Sequence, residues 1–131
     1  MGSGGCRFKG CEERSSVDYI VGMPEYGLNL QVCGMWKHYA QAHNVHPYKE
    51  LRSAVMGDAD ADPAALRRIN GASYHIEGGM PGCINAFFVE RAHPFGRRWN
   101  YRIGGAPDAP FVSRMQQLID ERGQEIMYGR Y

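Results

Sequence analysis

The sequence predicts a small α+β protein. Cys6, Cys11, His38 and His43 stand as two short-spaced pairs on either side of a stretch that alternates apolar and polar residues. Between residues 72 and 103, three strand-like runs are separated by glycine- and proline-rich turns, the pattern of an antiparallel sheet. From Phe111 to Glu121, apolar residues recur at helical spacing. These features divide the chain into an amino-terminal β-hairpin/helix unit over 6–56, a linker with a short helix over 57–71, and a three-stranded antiparallel sheet packed with a carboxy-terminal helix over 72–131, in one compact domain.

A chain of 131 residues can bury roughly two-thirds of its unfolded surface, enough to fold on its own core. The first five residues, MGSGG, lack a basic start and an apolar run, so they read as a linker outside the fold and not as a secretory signal. The longest uncharged stretch, Gly78 to Val89, is too short and glycine-rich to span a bilayer, and no membrane partner is expected. A cytoplasmic setting is expected, where four cysteines point to metal before disulfides.

Cys6 to Cys11 reads as a turn, with Gly10 supplying a permissive backbone before the second thiol. Ser16 to Met23 is a strand with Val17, Tyr19 and Val21 on one face. Pro24 to Gly27 turns the chain, and Leu28 to Val32 returns as the second strand. Gln31 to Pro47 reads as a short helix with Val32, Met35, Tyr39 and Ala42 as its stripe, ended by Pro47. The helix carries His38 and His43, five residues apart, whose imidazoles meet if its last turn tightens. Two thiolates from a turn and two imidazoles from a helix end make a closed, structural tetrahedral Zn2+ site. Cys33 and His46 are alternates for completing it.

At these residues the chain resembles a C2H2 zinc finger, Cys6-x4-Cys11-x26-His38-x4-His43, with Met35 in the place of the finger helix's apolar core residue. The second helix, within HNVHPYKELRSAV, makes residues 6–56 similar to bacterial single-finger regulators of the Ros/MucR kind. The resemblance implies nucleic-acid binding and regulation. The 26 residues between the pairs exceed the roughly 12 of a DNA-reading finger, and the Ser16–Val32 hairpin accounts for the excess. The finger's base-reading positions map to Gln31, Gly34 and Lys37, of which Gly34 can read nothing.

Pro47 to Met56 is a second helix with Leu51 and Val55 facing inward. Asp58, Asp60 and Asp62 alternate, yet Pro63 and Ile69 stand where a calcium loop needs glycine and glutamate, so calcium is not expected. Asp62 reads instead as the cap of a short helix, with Pro63 at its first position. Strands follow at Ala72 to Glu77, Ile84 to Arg91 and Arg97 to Ile103, with His93 to Gly96 as a turn. Asp108 or Ala109 begins the last helix, Phe111, Met115, Leu118 and Ile119 form its buried stripe, and Gly123 stops it.

Net charge is +1, so no global field favours nucleic acid, but the halves differ. Residues 1–65 carry 6 basic against 8 acidic side chains, and residues 66–131 carry 9 arginines against 6 acids. Arg91, Arg97, Arg98, Trp99 and Arg102 interleave cations with rings, which suits phosphates and stacked bases, and Lys37 joins them as a candidate nucleic-acid contact. The same alternation also describes an ordinary half-buried hairpin. A protein partner meeting Trp36 or Trp99 on a zinc-held scaffold is the alternative. An enzyme using Cys83 with His75, Glu77 or His93 ranks third, because no nucleotide-binding, metalloprotease or serine-hydrolase motif occurs.

Overall fold

The computed structural model describes residues 4–6, 8–47, 49–66, 91–93, 96–98 and 102–127. The strands expected at Ala72 to Glu77 and over residues 84–90 lie outside these residues, as do Cys83, His75, Glu77 and Trp99.

Strands β1 (Gly4–Gly5) and β2 (Arg14–Ser15) pair antiparallel, so Gly4 and Gly5 belong to the fold and not to a linker. Next comes the hairpin of β3 (Val17–Met23) and β4 (Leu28–Val32), in the register Tyr19↔Val32 to Met23↔Leu28. Its turn is a 3-10 segment, Pro24–Tyr26, closed by Gly27 at φ 67, a conformation glycine adopts without a Cβ penalty. Val21, Met23, Leu30 and Val32 line the buried face of this hairpin.

Helix α1 spans Trp36–Ala42, shorter than the expected Gln31 to Pro47. Val32 satisfies both a strand and a helix pattern, and its ladder with Tyr19 wins because it buries the side chain completely. The buried face of α1 is Trp36, Tyr39 and Ala40, whereas Ala42 is exposed. A short β5 (Val45–His46) follows, then α2 (Lys49–Met56) with Leu51, Ala54 and Val55 buried. Residues 63–66 are helical, and the Ala64 N–H donates to the Asp62 carboxylate at 3.0 Å, the expected cap.

Strands β6 (Arg91–His93) and β7 (Gly96–Arg98) form the expected hairpin, in the register Arg91↔Arg98, Ala92↔Arg97 and His93↔Gly96. Arg102–Ile103 forms β8, which pairs with β5. Helix α3 (Ala109–Arg122) begins on Asp108, whose side chain accepts from the Phe111 N–H, and buries Phe111, Val112, Met115, Leu118 and Ile119. Gly123, at φ −78 and ψ 141, turns the chain directly into β9 (Gly123–Met127).

The α+β class and a three-stranded antiparallel sheet are both present, but the described sheet is β4-β3-β9. Its strands come from the two ends of the chain. Helix α3 packs on β3 and α2, so the carboxy-terminal helix shares its core with the amino-terminal hairpin. The strands expected over residues 72–90 lie outside the described residues, and among the described ones this helix packs on β3 and α2. Strand β3 takes a partner on each side, β4 and β9. Among the described residues, no helix is long and apolar enough to cross a membrane.

Candidate metal centre

The β1–β2 hairpin presents Cys6 and Cys11 from its loop. That loop is closed by the Cys11 N–H donating to the Phe8 carbonyl at 3.1 Å and the Cys6 N–H donating to the Glu13 carbonyl at 2.9 Å. Gly10 at φ 84 makes the left-handed bend before Cys11. His38 comes from the middle of α1, and His43 is the residue that caps its end. The His43 N–H still reaches the Tyr39 carbonyl at 3.2 Å, while its backbone leaves helical angles at φ −119 and ψ 4. That exit swings a histidine five positions on back beside His38, a meeting a continuous helix would not allow.

The four side chains meet at one point. The Cys6 Sγ lies 3.4 Å from the His43 Nε2, the Cys11 Sγ lies 3.3 Å from the His38 Nε2, and the two Nε2 atoms are 3.2 Å apart. All four ligand atoms fall within 4.8 Å of one another, and all four residues are partly buried. A tetrahedral ion with metal–sulfur bonds of about 2.3 Å and metal–nitrogen bonds of about 2.0–2.1 Å sets donors about 3.3 Å (N to N), 3.6 Å (S to N) and 3.8 Å (S to S) apart. The donor set therefore fits a metal ion in both chemistry and spacing.

The surroundings favour ligation. Burial holds the His43 pKa below its ordinary value, and the neighbouring His38 adds to this, so the neutral, lone-pair form is preferred. Burial raises the Cys6 thiol pKa, with Cys11 beside it adding to the rise; a bound cation would reverse that by drawing off the proton. His38 and His43 meet edge to face, 4.9 Å between centroids at 81°. Phe8, from the loop between the cysteines, stacks flat on His43 and lies 5.9 Å from the Tyr39 ring.

Neither alternate ligand joins this group. Cys33 packs against the hydrophobic core outside the four-residue cluster, and its carbonyl accepts from the Trp36 N–H. The His46 Nε2 lies 2.9 Å from the Ala106 carbonyl, which can only accept, so that nitrogen carries a proton.

The candidate nucleic-acid residues lie elsewhere. The backbones of Arg91, Arg97 and Arg98 run through β6 and β7, and Arg102 sits in β8 opposite His46. Lys37, on the exposed side of α1, donates to the Gln116 amide oxygen at 3.1 Å. His93 pairs with Gly96 at the hairpin end. Sequence patterns gave no sign of Phe8 as a wall of the site, or of Asp18, which is 4% exposed and accepts from the Gly34 N–H at 3.0 Å to fix the approach to α1.

No family model matches the chain, and no solved structure matches it. Over 106 residues, 81% of the chain, it is 27% identical to the aerobic cobaltochelatase subunit CobN of Sinorhizobium sp.. That stretch is 8% of the relative's length, so the chain spans under a tenth of the curated protein it matches.

Proposed function

We propose that this chain is a zinc-stapled, non-catalytic binding module whose ligand is nucleic acid, DNA or RNA. The observation that carries the metal half is the convergence of two sulfurs and two imidazole nitrogens within 4.8 Å. Two thiolates and two imidazoles suit zinc over magnesium or calcium, which take oxygen. Four protein donors close the shell and leave no open position for a water nucleophile, which argues for a structural role. Likeness to a subunit named for cobalt chelation makes Co2+ the second ion to load.

The nucleic-acid half is supported by the β6–β7 register, which sets Arg91 opposite Arg98 and Ala92 opposite Arg97. Like charges opposite one another across a ladder cost stability, and an anion such as a backbone phosphate would offset that cost. The finger-like arrangement, cysteines on a hairpin and histidines on a helix, points the same way.

Elemental analysis tests the first half: about one zinc per chain is expected, and metal-free protein that takes up neither Zn2+ nor Co2+ overturns it. Fluorescence anisotropy with mixed DNA and RNA oligonucleotides tests the second. Affinity should fall with log salt at a slope of about −0.9 per neutralised phosphate on duplex DNA and about −0.7 on single strands. Arg97→Ala with Arg98→Ala should weaken it by tenfold or more. Absence of binding at every salt favours a second reading, a protein-interaction adaptor. A groove of about 730 Å³ between α1 and α3, lined by Lys37, Gln41, Val112 and Gln116 among others, supports that alternative.

A further inference from the structure

We propose, on the strength of the metal-centre reading above, that Cys6 and Cys11 form a peroxide-sensitive switch that frees the loop carrying them from α1. Their sulfurs lie within 4.8 Å of each other, and both residues are partly exposed, so a small oxidant reaches them. They belong to one short loop held by its own backbone hydrogen bonds, so closing a sulfur–sulfur bond needs only local movement. Cys33 lies outside the group.

The other two donors come from a different element. Among the described residues, β1 and β2 pair only with each other. The hairpin loop meets α1 and its cap through the cysteine–histidine cluster and the Phe8 rings. The cluster thus joins the hairpin loop to α1 with both of its sulfurs on the loop, while Ser15 of β2 stays against Gly34 at the link into α1.

The step balances with a hydroperoxide as oxidant. One thiolate sulfur attacks a peroxide oxygen, the oxygen–oxygen bond breaks, and a sulfenic acid forms while hydroxide leaves and takes a proton. The second thiolate then attacks that sulfur, the sulfur–sulfur bond forms, the sulfur–oxygen bond breaks, and a second hydroxide leaves as water. Two thiolates lose two electrons in total, and one hydrogen peroxide with two protons becomes two waters. Cys6 and Cys11 then carry no charge to balance a cation. His38 and His43 alone are too few to complete a tetrahedral shell. Trp36, Tyr39 and Ala40 remain buried in the core, so α1 keeps its seat while the loop that carries Cys6 and Cys11 comes away.

The test uses the full chain loaded with zinc. Zinc content is read first; then hydrogen peroxide is added in steps while released zinc, remaining thiols and disulfide linkage by mass spectrometry are followed. One zinc should be released for every two thiols lost, with a Cys6–Cys11 linkage, and a dithiol reductant with added zinc should reverse it. Cys33→Ser should leave that stoichiometry unchanged. Thiols consumed with zinc retained, a linkage through Cys33 or Cys83, or sulfinic acid at Cys6 or Cys11 would overturn the switch. A chain that holds no zinc before peroxide is added overturns the metal centre itself, a failure read at a separate step.

Discussion

Phe8 lies flat against His43, with ring centroids 4.0 Å apart and planes 2° from parallel. The ring comes from the loop that also carries both cysteines, so one segment supplies two donors and the wall that orients a third. Groups that orient a ligand change metal affinity by about 10–100-fold when removed. Phe8→Ala should therefore speed zinc loss to a competing chelator about tenfold, whereas Phe8→Tyr, which keeps the flat face, should stay near wild type. Equal loss rates for Phe8→Ala and wild type would remove Phe8 from the site.

Removing a donor should go further. Cys11→Ser or His38→Ala leaves three ligands. An ion present at a thousandfold excess over its dissociation constant contributes about 4 kcal/mol to the folded state. Chelation should lower the thermal midpoint of the wild type and leave that of Cys11→Ser unchanged, so the two proteins converge. Far-ultraviolet circular dichroism should still report a folded chain, because Val21, Leu30, Phe111 and Met115 pack without help from the site. A wild-type midpoint insensitive to chelator would deny the ion any structural weight.

The ligands were legible because each pair is local: two cysteines in one loop and two histidines at one helix end. The β3–β4 hairpin was legible from its alternation and proline-glycine turn, and α3 from its stripe and cap. Strand β9 was not. Gly123–Met127 sets Gln124 and Glu125 side by side and then Ile126 and Met127, with no alternation, and its pairing with Val17–Val21 spans about a hundred residues, a contact no local period encodes. The start of α1 was misread because Val32 suits both periods, and only the ladder to Tyr19 decides between them. Phe8 gave no signal, since its partner His43 is remote in sequence and a single aromatic in a turn has no periodicity.

Gly34 has no room for a side chain. A Cβ there would run into the Val17 carbonyl oxygen and the Ser15 Oγ, while the Gly34 N–H donates to the buried Asp18 carboxylate at 3.0 Å. The link between β4 and α1 is pressed against β2 and β3 at this point. Gly34→Ala should destabilise by more than about 2 kcal/mol, the range of substitutions that force backbone to move. Asp18→Ala leaves a buried donor unmet and should cost about 1–3 kcal/mol. Urea unfolding measures both, and a Gly34→Ala midpoint equal to wild type would contradict the close approach.

The pair Arg52–Asp108 ties α2 to the start of α3 and sets a pH dependence of known sign. Arg52 donates through Nε at 2.7 Å and Nη2 at 3.2 Å to the Asp108 carboxylate, which also accepts from the Phe111 N–H. The Arg52 guanidinium holds the Asp108 carboxyl below its ordinary value, against burial, which pushes the other way. The unfolded chain therefore binds this proton more readily than the folded one. The stabilisation is complete above the unfolded value of about 3.9 and is lost as pH falls through that value towards the lowered folded one. Asp108→Asn keeps an acceptor for the helix cap but gives up the ion pair; Asp108→Ala gives up both and should cost about 1–2 kcal/mol near neutral pH. Between about pH 5 and pH 3 the wild type should lose more stability than Asp108→Asn, because only the wild type has this carboxylate to protonate. Parallel urea midpoints for the two proteins across that window would show that Arg52 does not perturb Asp108 in the folded state.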